Sequence, residues 1–258
     1  MYSSSTAGAA GAGFAAHAPA STPARTSPGT RARVAGGLWL VVIVTGMFAV
    51  FAFGSLIVNG DAAGTAAKIR GSETLFRLAF AANLVAGLCY MGVTVLLYDL
   101  FKPVGRSASL LAASFGAAGV TAGAAASLFS LAPLALLGDA PYLGAFTGAQ
   151  LEALSQVALR LAGQGSQIGM VFFGCQCFLV GCLIVRSSLV PRVIGAVLAV
   201  GGFSYVANAL AFFVSPAVGA QLSPFVMPAV FLGEGSLSLW LLARGVNTAR
   251  WQEQAARS

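Results

Sequence analysis

A chain of 258 residues that is 58% hydrophobic and only 8% charged, with a mean hydropathy of +0.86, carries more apolar surface than a soluble domain of that size can bury. That excludes an ordinary water-soluble globular protein and makes a bilayer the natural solvent. The formal net charge of +7 does not point to nucleic acid, because the arginines are scattered along the ends of apolar runs and form no compact patch with interleaved aromatics. It reads instead as a topological signal.

Residues 1–34 are rich in Ala, Gly, Ser, Thr and Pro, with Arg25, Arg31 and Arg33 near their end. Such a stretch buries too little apolar area to offset its ordering entropy, and the expectation is a disordered cytoplasmic tail. A cleaved signal peptide fits poorly, since the basic residues come late and the next apolar run is too long. A six-helix membrane domain is expected over residues 35–245 and a short cytoplasmic tail over 246–258.

The first apolar run, residues 36–58, is roughly 34 Å long as a helix and spans a bilayer. Asn59-Gly60-Asp61 is a turn signal, and Asp61 can cap a short interfacial helix running past Lys68 and Arg70. The second span, 73–101, opens with Glu73 and Arg77, an i, i+4 pair that neutralises itself at the interface. It closes at Tyr98 and Asp99 before Lys102-Pro103. The third, 107–137, places Ala112, Gly116, Gly119 and Gly123 so that a neighbouring backbone can approach closely; helix packing is the expected use.

After Gly138-Asp139-Ala140-Pro141, Thr147 reads as the N-cap of a second interfacial helix, with Leu151, Leu154, Val157, Ala158 and Leu161 on one stripe. A fourth span follows over 165–185. Pro191 and Arg192 open the fifth, to about Val214. An uncharged connection, residues 215–223, leads to the sixth, which ends near Leu242 to Arg244. The reading is therefore all-α: a polytopic integral membrane protein with six transmembrane helices and two short extracytoplasmic interfacial helices. Six spans place both termini on one side, where ten of the 14 Lys and Arg residues fall; the positive-inside bias makes that side the cytoplasm, and the expected location is the cell (plasma) membrane.

Cys89, Cys175, Cys177 and Cys182 all lie in apolar runs, which argues against a disulfide framework. No Cys-x-x-Cys occurs, and the single histidine, His17, lies in the tail, so neither a metal site nor a cofactor is expected. On a helix Cys175 and Cys182 share a face and Cys177 points largely away; all four read as small packing residues.

Glu234 is the polar residue that stands out, an acid flanked by Gly233 and Gly235 inside a spanning segment. Were the sixth span to begin near Ser223, Glu234 would lie roughly 16 Å from the outer face, with Asn83 roughly 13 to 15 Å in. Tyr205 and Asn208 fall at comparable depth, Gln167 and Gln176 bracket the zone, and Arg77 lies above it. Because lipid-facing amides and carboxylates are costly, these seven residues are expected to line a pocket in the outer half of the bundle. Individually, the amides and Tyr205 read better as interhelical hydrogen-bond glue. A buried carboxylate needs a partner or a proton, which makes Glu234 the expected anchor.

The order of GLWLVVIVTG at 37–46, the Gly60-Asp61 turn with SETLFRLAF at 72–80, LLYDLFKPV at 96–104, IGMVFFG at 168–174, PRVIGAVLAVGGFSY at 191–205 and GEGSLSLWLLARG at 233–245 resembles the bacterial six-helix membrane proteins of the domain of unknown function 4386 family. The resemblance covers residues 36–245. It implies topology and no assigned activity, with Glu73, Arg77, Tyr205 and Glu234 matching the family pattern. That pattern also implies acids near Asn83, Gln167 and Asn208 and a histidine near Gln176, where this chain carries amides; a metal, haem or proton-relay role does not follow.

The functional expectation is a small or lipidic molecule bound through Glu234, with a structural or regulatory membrane subunit as the alternative. No nucleophile with a nearby base and no phosphate-binding Gly loop argues for an enzyme. Membrane lipids are the expected partners; no nucleic acid is, and assembly with further copies stays open.

Overall fold

Ser27 and Pro28 start the first helix by the ordinary chemistry of an N-terminus: the Ser27 hydroxyl accepts from the Thr30 N–H at 3.2 Å, and Pro28, which has no N–H to lose, sits in the first turn. The computed structural model describes residues 27–257; the expected tail up to residue 26 lies outside them. Helix α1 is Pro28–Leu56, followed by α2 (Ala62–Gly71), α3 (Glu73–Phe101), α4 (Arg106–Leu136), a 3-10 turn (Pro141–Ala145), α5 (Gly148–Ser187), α6 (Arg192–Val214), α7 (Pro216–Ala243) and α8 (Thr248–Ala255). There are no strands among the described residues. Six helices, α1 and α3 to α7, are long and apolar enough to cross a membrane. Their outward residues are large and apolar, Val50, Phe51, Leu88, Leu128, Phe203 and Leu232 among them, as acyl-chain contact requires. The protein is an all-α, multi-pass membrane protein.

Several boundaries differ from expectation for identifiable reasons. Residues 28–34, expected as tail, form the first turns of α1, so Arg31 reaches Asp99 at the end of α3 (3.7 Å), which Lys102 also holds at 2.6 Å. The connection expected over 215–223 is helical from Pro216, which sits in the first turn as Pro28 does, although Ser215 makes no side-chain cap. The second interfacial helix is not separate: it is the first part of the 40-residue α5. At 1.5 Å per residue α5 is about 60 Å long, about twice a bilayer's hydrocarbon core. The fourth span expected to start at Gly165 does not start there; Gly165 lies inside α5, where Ala126 of α4 presses against it. Thr147 does cap, in a reciprocal box with Gln150. Asp61 caps α2 through the Gly64 N–H, and α2 is tied to the protruding part of α5 by Arg70 and Glu152 at 3.3 Å.

The spanning helices close on themselves: α1 packs on α3, α3 on α4, α4 on α5, α5 on α6, α6 on α7, and α7 back on α1. The expected small face of α4 is used in this ring, with Gly119 against the Phe173 ring and Gly169 against the Gly119 carbonyl. The main core runs down the axis towards the ends of α3, α5 and α7, through Trp39, Val93, Leu97, Val180, Ile184, Leu198 and Leu237. A smaller cluster of Leu56, Ile69, Phe76 and Leu159 closes the other end. Helix α8, in what was expected as a short cytoplasmic tail, docks beneath the ring: Trp251 Nε1 donates to the Leu100 carbonyl and Gln254 Nε2 to the Ser187 carbonyl, both at 2.9 Å.

Candidate functional site

On α7 the side chain of Glu234 is partly buried and turns towards the ring axis, where α1, α3, α5 and α6 each bring one residue near it. The Trp39 indole Nε1 of α1, a residue 1% exposed, donates to Glu234 Oε2 at 3.3 Å. From α5 the Cys177 thiol, also 1% exposed, donates to Oε1 at 3.7 Å. Tyr90 of α3 places its hydroxyl 4.0 Å from Cys177 Sγ. Its ring stands edge-on to Trp39 (centroids 6.1 Å apart) and to Phe173 (4.6 Å), which fixes the aromatic wall around the carboxylate. Tyr205 of α6 lies close enough to Glu234 and Cys177 to interact with both electrostatically.

No Lys or Arg pairs with Glu234 among the described residues. Its two donors are neutral and their bonds long, so they compensate a carboxylate's lost hydration only in part. An ionised carboxylate offers about four acceptor positions; two are engaged. The two flanking glycines serve different ends. A Cβ on Gly233 would touch the Leu198 backbone at 3.0 Å, so this glycine lets α6 and α7 meet, whereas one on Gly235 would meet nothing within 4 Å.

The seven residues expected to share a pocket do not converge. Tyr205 joins Glu234; the other five point elsewhere. Gln176 sits next to Cys177 in the chain but about 100° around the helix. Its Nε2 donates to Thr94 Oγ1 at 3.2 Å, and its buried Oε1, without a partner among the described residues, lies in the space that Gly116 leaves free. Asn83 donates to Ser127 Oγ at 3.0 Å, and that hydroxyl to the Gly123 carbonyl. Asn208 donates to Ser223 Oγ at 3.3 Å. Gln167 is half-buried and makes no side-chain hydrogen bond among the described residues. Arg77 is exposed and pairs with Glu73 at 2.6 Å. Asn83, Gln176 and Asn208 thus act as single interhelical clasps. The depth expected for Glu234 also changes: α7 begins at Pro216 rather than near Ser223, which puts Glu234 about 27 Å from that end and about 13 Å from Ala243.

Arg77 gives a check on these assignments. Two exposed partners on one helix contribute about 0.3–0.5 kcal/mol, so Arg77→Ala should leave the thermal midpoint in detergent nearly unchanged. A drop of many degrees would place Arg77 in the bundle instead.

Three site residues were missed by depth alone: Trp39, Tyr90 and Cys177. For Cys177 the signal was present, since the rotation that turns it away from Cys175 and Cys182 is the one that aims it inward.

A family model described as "Domain of unknown function (DUF4386)" matches residues 34–245, and the chain belongs to that family. No curated protein and no solved structure matches it.

Proposed function

We propose that this member of the DUF4386 family is a protein of the cell (plasma) membrane, with both termini cytoplasmic, that binds a small or lipidic molecule at Glu234. The observation that carries the reading is a carboxylate at the axis of a helix ring, with unused acceptor positions and no cationic partner among the described residues. A ligand that suits it has an apolar body and one ammonium, hydroxyl or amide group to donate to Glu234, with Trp39 and Tyr90 as its aromatic wall. The charge distribution supports the orientation, since the ring end nearest this site carries Lys102, Arg106, Arg186, Arg192 and Arg244. Entry is through α7: Pro224 and Pro228 each remove a backbone hydrogen bond above Glu234, which lets that helix bend away from α1 and α6.

The alternative is a structural or regulatory subunit in which Glu234 only fastens α7 to α1 and α5. It is favoured by the fact that each carboxylate oxygen already meets one donor. Cys177 separates the two readings. It is buried, whereas Cys89, Cys175 and Cys182 are half-exposed. In a variant with those three replaced by alanine, N-ethylmaleimide should label Cys177 in the folded protein, because a ring that admits a ligand opens transiently at its axis. Labelling that begins only when the protein unfolds would support the structural subunit.

A further inference from the structure

At the end of the ring nearest Glu234, the turn between α5 and α6 and the turn between α7 and α8 face each other across a cleft of about 520 Å³. Both turns are shaped by left-handed backbone, at Ser188 (φ 56°) and at Gly245 (φ 69°). They are joined by the Asn247 N–H donating to the Leu189 carbonyl at 3.2 Å. The lining includes Arg192, Arg244, Ser188, Asn247 and Trp240, and no acidic residue. Arg192 and Arg244 are exposed and have no ion-pair partner among the described residues. Helix α6 starts here without a side-chain cap, so its first N–H groups add positive potential to the two guanidinium groups. Asn247 uses its Oδ1 to accept from the Arg250 N–H, which leaves its amide N–H₂ to donate.

We propose that this cleft holds the phosphate-bearing headgroup of an anionic phospholipid from the leaflet around it. Two unpaired guanidinium groups and uncapped helix N–H groups match a phosphate in charge and in hydrogen-bond sense. Its volume lies within the roughly 300–1,000 Å³ of small-ligand sites. A lipid is favoured over a free anion because the cleft opens at the level where α6 and α7 leave the apolar zone. Val193 (72% exposed) follows Arg192 and Leu242 (41% exposed) lies two residues before Arg244, giving acyl chains an apolar surface beside the headgroup site. Trp240 is placed as interfacial aromatics are.

Native mass spectrometry of the full chain in detergent tests the proposal, with phosphatidylglycerol and phosphatidylcholine added in turn and inorganic phosphate as competitor. Wild type should retain phosphatidylglycerol in preference to phosphatidylcholine. The double variant Arg192→Gln with Arg244→Gln should hold phosphatidylglycerol about thirtyfold more weakly, through the loss of two cation–headgroup attractions. Arg160→Gln, an exposed arginine at the opposite end of α5, should behave as wild type. The single variants give intermediate losses and replace the double one if it does not fold. Unchanged phosphatidylglycerol binding in the arginine variants, or equal retention of the two lipids, would overturn the proposal. Displacement by inorganic phosphate as effective as displacement by excess phosphatidylglycerol would overturn the choice of a lipid.

Discussion

Gly202→Leu is expected to leave little folded protein in detergent. The crossing of α5 and α6 is built on glycines facing backbone: a Cβ at Gly202 would lie 2.5 Å from the Phe178 nitrogen and 2.6 Å from the Gly174 carbonyl oxygen, and one at Gly174 would meet the Gly202 carbonyl at 2.7 Å. Two turns further along, Gly181 and Gly195 repeat the arrangement. Inside a bilayer no hydrophobic force draws helices together, so close packing carries the association. Overpacking costs about 1–3 kcal/mol when side chains can yield. Here main chain would have to move, and the cost is set at or above the top of that range. The effect reaches the site, because parting α5 from α6 separates Cys177 from Tyr205. Thermal midpoint and size-exclusion profile measure it, with Gly46→Ala as the control, since a Cβ there meets nothing within 4 Å. A wild-type melting curve for Gly202→Leu would show that α5 and α6 do not cross in this way.

Trp39 should divide into two measurable parts. It is almost fully buried, stands edge-on to Tyr90 and donates to Glu234. Trp39→Ala removes both volume and donor and is expected to lower stability by about 3–5 kcal/mol, as large-to-alanine changes in packed cores do. Trp39→Phe keeps most of the packing and loses the N–H, for which about 1–3 kcal/mol is expected, the cost of leaving a buried polar group short of a partner. In the background of Glu234→Gln the Trp39→Phe step should shrink, because the two changes act on one contact. Equal costs for Trp39→Phe in both backgrounds would mean that the indole and the carboxylate are not coupled.

Particular residues show why the fold was more legible than the site. Spans announce themselves by length and hydropathy, properties of one segment at a time, so all six were readable, and local caps such as Asp61 and Thr147 were readable for the same reason. Misreadings came where a local signal was weighed against composition. Ser27-Pro28 and Ser215-Pro216 are helix starts, yet each was hidden by a stretch that looked like tail or connection. Gly165, expected as the start of a fourth span, is instead a close crossing inside one long helix, which only the neighbouring Ala126 reveals. For the site, sequence supplies depth and not rotation about neighbours. Glu234 was found because a carboxylate is conspicuous in an apolar run. Asn83, Gln176 and Asn208 shared its zone but point at Ser127, Thr94 and Ser223. Its actual neighbours, Trp39, Tyr90 and Cys177, are ordinary residues of apolar helices, made significant only by a ring that brings α1, α3 and α5 around α7.

In the proposed function Glu234 anchors a molecule other than this chain. The most direct measurement is native mass spectrometry of gently purified wild type beside Glu234→Gln, with any released molecule identified. Wild type should carry a bound small or lipidic molecule at one per chain that is missing from Glu234→Gln, while the variant remains folded. An identical complement of bound molecules on the two proteins, with Glu234→Gln differing only in a lower melting temperature, would contradict it and leave Glu234 as a fastening between helices.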